Sequence, residues 1–150
     1  MTRDTAKCAL LGRQQKLEAM RLHSSKILLG AILILALASC RTAPVYNVEN
    51  MALNAPATAT LDDVNRAIKK AGGGLGWAMR DIAPGHIEAK LPVRAHMAIT
   101  DIRFDTKTFS IIYKDSVNLR YDPTKNLIHS NYTGWIQNLQ NAIVVQASTI

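Results

Sequence analysis

The chain has 150 residues, 48% of them hydrophobic and 19% charged, with a formal net charge of +7. That length suits one small domain behind a targeting segment. The basic excess does not argue for nucleic-acid binding, because six basic and two acidic residues lie within residues 1–40, leaving 12 basic against 9 acidic beyond them.

Residues 1–19 are a basic leader, unusually long in front of a signal peptide, and Met20 begins a better-proportioned signal. The first 19 residues therefore read either as an extension of the gene model or as a long n-region. Arg21 and Lys26 precede an apolar run from Ile27 to Ala38 that is interrupted only by Gly30. A basic start, a short apolar middle and small residues at the end are the order of a secretory signal peptide. The run falls short of the ~20 apolar residues of a spanning helix, and Arg41 comes soon after it.

Leu37-Ala38-Ser39-Cys40 resembles the lipobox of bacterial lipoproteins. The resemblance implies cleavage between Ser39 and Cys40, a diacylglycerol thioether on Cys40, and acylation of the new amino group by a fatty acid such as palmitate. The rival reading is an ordinary secretory cut near Ala38 that leaves Cys40 a bystander. Two or three acyl chains hold a domain stably on a bilayer, at about 0.8 kcal/mol per buried methylene. Arg41 takes the place of the aspartate that retains lipoproteins in the inner membrane of enteric-type bacteria, which resembles an outer-membrane address. The cysteines are Cys8, in the leader, and Cys40. The expected organisation is a signal peptide at 1–39, a lipid-attached tether at 40–59 and a domain at 60–150 held without a disulfide.

Pro44, Pro56 and several asparagines mark the tether, within which Val45 to Val48 has some strand character. Thr60-Leu61-Asp62-Asp63 has the form of an N-cap, with Leu61, Val64, Ala67, Ile68 and Ala71 at helical spacing. Lys69 and Lys70 suit the helix end, and Gly72-Gly73-Gly74 stops it. The triple glycine comes after a helix and lacks a Lys-Ser/Thr pair, so it does not have the form of a phosphate loop.

From Trp77 the period becomes two. Trp77 and Met79 alternate with Ala78 and Arg80, and Pro84-Gly85 reads as a turn. Ile87, Ala89, Leu91 and Val93 form one strand face; Ala98, Thr100, Ile102 and Phe104 form another; Phe109, Ile111 and Tyr113 a third. Asp122 to Asn126 reads as a turn inside an irregular stretch. A last helix begins near Ser130 or Asn131, with Tyr132, Trp135, Ile136, Leu139, Ala142 and Ile143 as its apolar stripe. The expected fold is α+β: a four-stranded antiparallel meander with two helices on one face, in the order α-β-β-β-β-α.

Trp77, Pro84-Gly85, His96-Met97-Ala98, Phe109 through Ser116, Asn118 through Tyr121, Ile128-His129, Tyr132 and Trp135 through Leu139 carry a second resemblance. The span from Trp77 to Leu139 is similar to a group of small proteobacterial lipoproteins of unassigned function. It implies a small α+β envelope lipoprotein and no known activity.

No catalytic, cofactor or metal residues are expected. Asp115-Ser116 lacks a Gly-x-Ser-x-Gly elbow and is expected to make local backbone hydrogen bonds. His86, His96 and His129 lack ligand spacing. The candidate ligand groove is Tyr121, His129, Tyr132 and Trp135, between the last helix and the sheet. Arg94, Arg103 and Arg120 suit either anionic headgroups or a solvated face. The leading expectation is a non-enzymatic, outer-membrane lipoprotein facing the periplasm. It would act as an accessory or scaffold for an envelope protein partner that docks by strand addition at a sheet edge, without a nucleic-acid partner. The alternative is a binder of a small envelope ligand (lipid, glycan or peptide) through the aromatic groove.

Overall fold

The computed structural model describes residues 42–150. The signal peptide, the lipobox and Cys40 lie outside these residues. In chain order the elements are β1 (Thr42–Pro44), β2 (Val48–Ala52), α1 (Leu61–Gly74), β3 (Ala78–Ala83), β4 (His86–Val93), β5 (His96–Phe104), β6 (Thr108–Val117), β7 (Leu127–His129) and α2 (Asn131–Ala147).

Thr60 starts α1 as its composition suggested. The Thr60 hydroxyl accepts the Asp63 N–H at 3.2 Å, and the Asp63 carboxylate accepts the Thr60 N–H at 2.9 Å. This capping box satisfies two of the donors that a helix start leaves free. Hydrogen bonds from the Thr60 side chain and backbone hold the Asp63 carboxyl below its ordinary range. The helix runs through the triple glycine instead of stopping before it. Its last carbonyls are closed by the N–H groups of Leu75 and Gly76, and Gly76, at φ +83°, turns the chain toward Trp77. Lys69 is therefore not at the helix end; its ammonium reaches Asp81 of β3 at 2.6 Å.

The meander from β3 to β6 forms as the alternation indicated. Pro84-Gly85 closes its first hairpin. Gly85 has φ +75°, and a Cβ there would stand 2.7 Å from the Phe104 carbonyl oxygen. Ile87, Ala89, Ala98, Ile102, Phe109 and Ile111 are buried on one face of the sheet together with Val64, Ile68, Ile136, Leu139 and Ile143 of the two helices. Each large aliphatic side chain among them contributes about 1.5–3 kcal/mol by burial.

The architecture is α+β, but the sheet has five strands, in the order β2-β6-β5-β4-β3, and β1 and β7 make a separate two-stranded ribbon. The extra strands come from the segment expected to be a tether. Within 40–59, Thr42–Pro44 pairs antiparallel with β7, and Val48–Ala52 pairs with β6 as an edge strand. Val48 and Leu53 are buried, the Asn47 side chain accepts the Tyr113 N–H at 2.9 Å, and Tyr46 donates its hydroxyl proton to Gln140 of α2 at 3.0 Å. The tether reading is corrected accordingly. Its asparagines mislead because Asn50 and Asn54 take left-handed backbone, at φ 49° and 55°, beside residues that are paired. The same pairing makes Leu127–His129 a strand, beginning at the last residue of the stretch expected to be irregular, Asp115 to Leu127.

Among the described residues, no helix is long and apolar enough to cross a membrane.

Candidate functional site

The four residues of the expected groove do not come together. His129 and Trp135 line a cleft of about 360 Å³ with Val93, Arg94, His96, Leu119 and Asn131. Tyr132 is wholly buried in the core, and Tyr121 lies against Tyr113 with ring centroids 4.5 Å apart. The helical period explains the split. Tyr132 shares the central stripe of α2 with Ile136, Leu139 and Ile143, whereas Trp135 sits on its margin. Burial raises the Tyr132 hydroxyl pKa, and that hydroxyl has no hydrogen-bond partner. Tyr113 meets the Tyr132 ring edge-on at 5.7 Å.

The cleft sits at the β4–β5 turn. His96 Nδ1 is 2.9 Å from the Asn118 carbonyl oxygen, so that nitrogen carries a proton and, in the neutral ring, Nε2 is the acceptor. His129 Nδ1 accepts the Asn131 N–H at 3.2 Å, which leaves the proton on Nε2. The two rings are 6.4 Å apart. The cleft thus combines a guanidinium, one imidazole donor, one imidazole acceptor and an indole. Around it, Arg94, Asn118 and Arg120 all take left-handed backbone, at φ 55°, 59° and 52°. For arginine this costs roughly 1–2 kcal/mol per residue. The Asn118 amide holds the turn by donating to the Ala95 carbonyl at 2.6 Å.

A second feature was not visible as a site in the sequence. The sheet face opposite the helices carries a row of ion pairs across four strands. Glu88, on β4, accepts from Arg80 of β3 and Lys114 of β6, each at 2.8 Å, and lies 3.3 Å from Lys90. Lys114 also reaches Asp101 at 3.2 Å, and His86 meets the same oxygen at 2.9 Å. Hydrogen bonds from Lys114 and Arg80 outweigh burial and hold the Glu88 carboxyl down at about 2. Burial pushes the Asp101 carboxyl up, but hydrogen bonds from His86 and Lys114 bring it below its ordinary range. A register shift between Ile99 and Thr100, opposite Lys114, interrupts the β5–β6 ladder. Alternation alone marks Glu88 as outward-facing. The same alternation puts Lys90, two residues along β4, on that face, and cross-strand register adds Arg80 and Lys114.

The third feature is a groove of about 460 Å³ at the other end of β4, between the edge strand β3 and the first turns of α1. Leu61 and Ile82 line it, 37% and 42% exposed, with Ala83 and Pro84 beside them. Asp62, Asn65 and Asp81 supply its polar groups. The hydrogen bond from Lys69 keeps the Asp81 carboxyl below its ordinary range. The Asn65 side-chain oxygen is buried without a hydrogen-bond partner. Period-two alternation was legible for β3, but its place at the sheet edge was not.

The remaining polar residues engage locally. Asp115 accepts the Ser116 N–H at 2.7 Å, and the Ser116 hydroxyl lies 3.0 Å from that of Tyr113. Among the described residues, no group of three or more His, Cys, Asp or Glu side chains is arranged to hold a metal ion.

No protein-family model, curated protein or solved structure matches the chain.

Proposed function

We propose that this chain is a lipid-anchored protein of the bacterial envelope, held in the outer membrane by acyl chains on Cys40. Its domain faces the periplasm and works as a non-enzymatic accessory or scaffold, docking an extended segment of a protein partner along β3. The observation that carries the docking mode is the groove beside an edge strand. β3 pairs with β4 on one side only, and the open side is bordered by α1 and by the exposed side chains of Leu61 and Ile82. An added strand would satisfy free backbone groups of β3, and the groove would receive an apolar side chain from it. The surface is small, so the interaction is weak in isolation. Anchoring strengthens it by raising the effective concentration of a membrane partner.

The targeting part rests on the basic, apolar and lipobox-like order of residues 20–40, ending in Leu37-Ala38-Ser39-Cys40. Cys40→Ser is expected to release the protein from membranes; retention after alkaline washing would overturn the anchor. The docking part is tested by affinity capture with the intact lipoprotein, repeated with Ile82→Asp. Loss of a captured envelope protein, with an unchanged melting curve, supports the groove. Capture that survives this substitution removes β3 as the docking edge.

A second reading, a binder of a small envelope ligand, is favoured by the cleft at His129 and Trp135. Its volume of about 360 Å³ falls within the range of small-molecule sites.

A further inference from the structure

We propose that the cleft at the β4–β5 turn binds the anionic headgroup of a glycerophospholipid in the bilayer that holds the Cys40 acyl chains. The proposal rests on the lipid-anchor reading and adds a contact to it.

Chain connectivity makes the first argument. Thr42 lies directly opposite His129 in the β1–β7 ribbon. Cys40 is two residues before Thr42, and two residues of chain reach about 7 Å at most. A lipid on that thiol is therefore tethered beside the strand that supplies His129 to the cleft. A bilayer so attached has its headgroups within reach of this end of the domain, whatever path the two intervening peptide bonds take.

Charge and shape make the second. Arg94 lines the cleft, and no carboxylate does. A guanidinium offers a fork of donors that fits phosphate oxygens. His129 adds a further N–H, because its other nitrogen is engaged by Asn131. In its neutral form His96 offers Nε2 as an acceptor, suited to a headgroup hydroxyl. Trp135 is half-buried at the cleft wall, and an indole with one wet and one apolar side is the side chain favoured at headgroup depth.

The contact would also set direction. Val93 and Arg94 stand at the C-terminal end of β4, whereas the groove residues Pro84 and Gly85 precede it. A strand of 8 residues separates these ends by roughly 25 Å. With the cleft seated on the bilayer, the partner groove points into the aqueous phase.

The test uses the mature lipidated protein in vesicles of phosphatidylcholine, with and without phosphatidylglycerol, carrying brominated acyl chains. Trp77 is buried at 4% exposure, so a headgroup-dependent change in emission reports Trp135, and Trp135→Phe should abolish it. We expect anionic lipid to shift the emission to the blue and increase its quenching. Arg94→Ala should raise the anionic fraction needed by about fivefold, with attachment unaffected. Intact mass and flotation of the same sample read the anchor separately. An unmodified Cys40 overturns the anchor reading and this proposal with it. A lipidated, floating protein whose Trp135 ignores headgroup charge overturns this proposal alone. Saturation of the signal by inorganic phosphate without vesicles would assign a soluble-anion site and also overturn it.

Discussion

The two ends of β4 are built by different means. At the groove end, local sequence does the work: the Thr60–Asp63 capping box starts α1, and Gly85 makes a turn that no residue with a side chain fits. At the cleft end, the geometry depends on distant residues. Asn118 and His96 tie the 118–120 segment to the β4–β5 turn, and three non-glycine residues hold left-handed backbone there. Strain held by surrounding contacts is common where a protein shapes a binding surface, because the frame keeps side chains in place before a ligand arrives. The groove end, by contrast, presents an edge strand paired on one side only, with Leu61 and Ile82 exposed beside it.

The sharpest way to break this comparison is at Tyr132, beneath the cleft end. Tyr132→Ala should cost about 3–5 kcal/mol in chemical denaturation, as for other large buried aromatics. Tyr121→Ala should cost far less, since that ring is 39% exposed. Equal losses would mean that the two tyrosines share one environment. At the groove end, Gly85→Ala should cost at least about 1–2 kcal/mol, from the left-handed backbone and the approach to the Phe104 carbonyl. A neutral result would show that the hairpin shifts freely. Thr60→Ala should cost about 1 kcal/mol by removing the cap. Its effect should add to that of a cleft-end substitution, because the sites share no partner.

The smallest effect near neutral pH is expected between the two ends, at the Glu88 ion pairs, whose cations are all substantially exposed. Its signature is pH dependence. The folded protein holds the Glu88 carboxyl at about 2, below the ordinary 4.5. Its contribution is therefore complete above about pH 4.5 and is lost as pH falls through that value toward 2. Glu88→Gln should flatten that part of the acid limb of a stability–pH curve. An unchanged limb would mean that Asp101, Asp63 or Asp81, all likewise held low, carries it.

Much of the frame was legible from residue order. The Thr60 cap, the Pro84-Gly85 turn, the buried faces of β4, β5 and β6 and the stripe of α2 all derive from periods and from backbone chemistry within a few residues. Of the four residues of the expected groove, His129 and Trp135 line one cleft, at the β4–β5 turn, whereas helical period places Tyr132 in the core, and Tyr121 packs on Tyr113. Arg94 and His96 belong to the cleft only because the 118–120 segment folds back onto their turn.

By itself, the sequence determined the signal-like and lipobox-like pattern of residues 20–40, the α+β class and the faces of the main elements. These depend on side-chain type at short, regular spacing. Only the tertiary structure decided that residues 42–52 supply two strands, that Glu88 of β4 meets Lys114 of β6, and that cleft and groove lie at opposite ends of one strand. Each of these needs a partner far along the chain. Val48 opposite Ile111 and Thr42 opposite His129 are pairings that no local period encodes, because backbone hydrogen bonds between strands are open to almost any residue and the register is chosen by the assembled core.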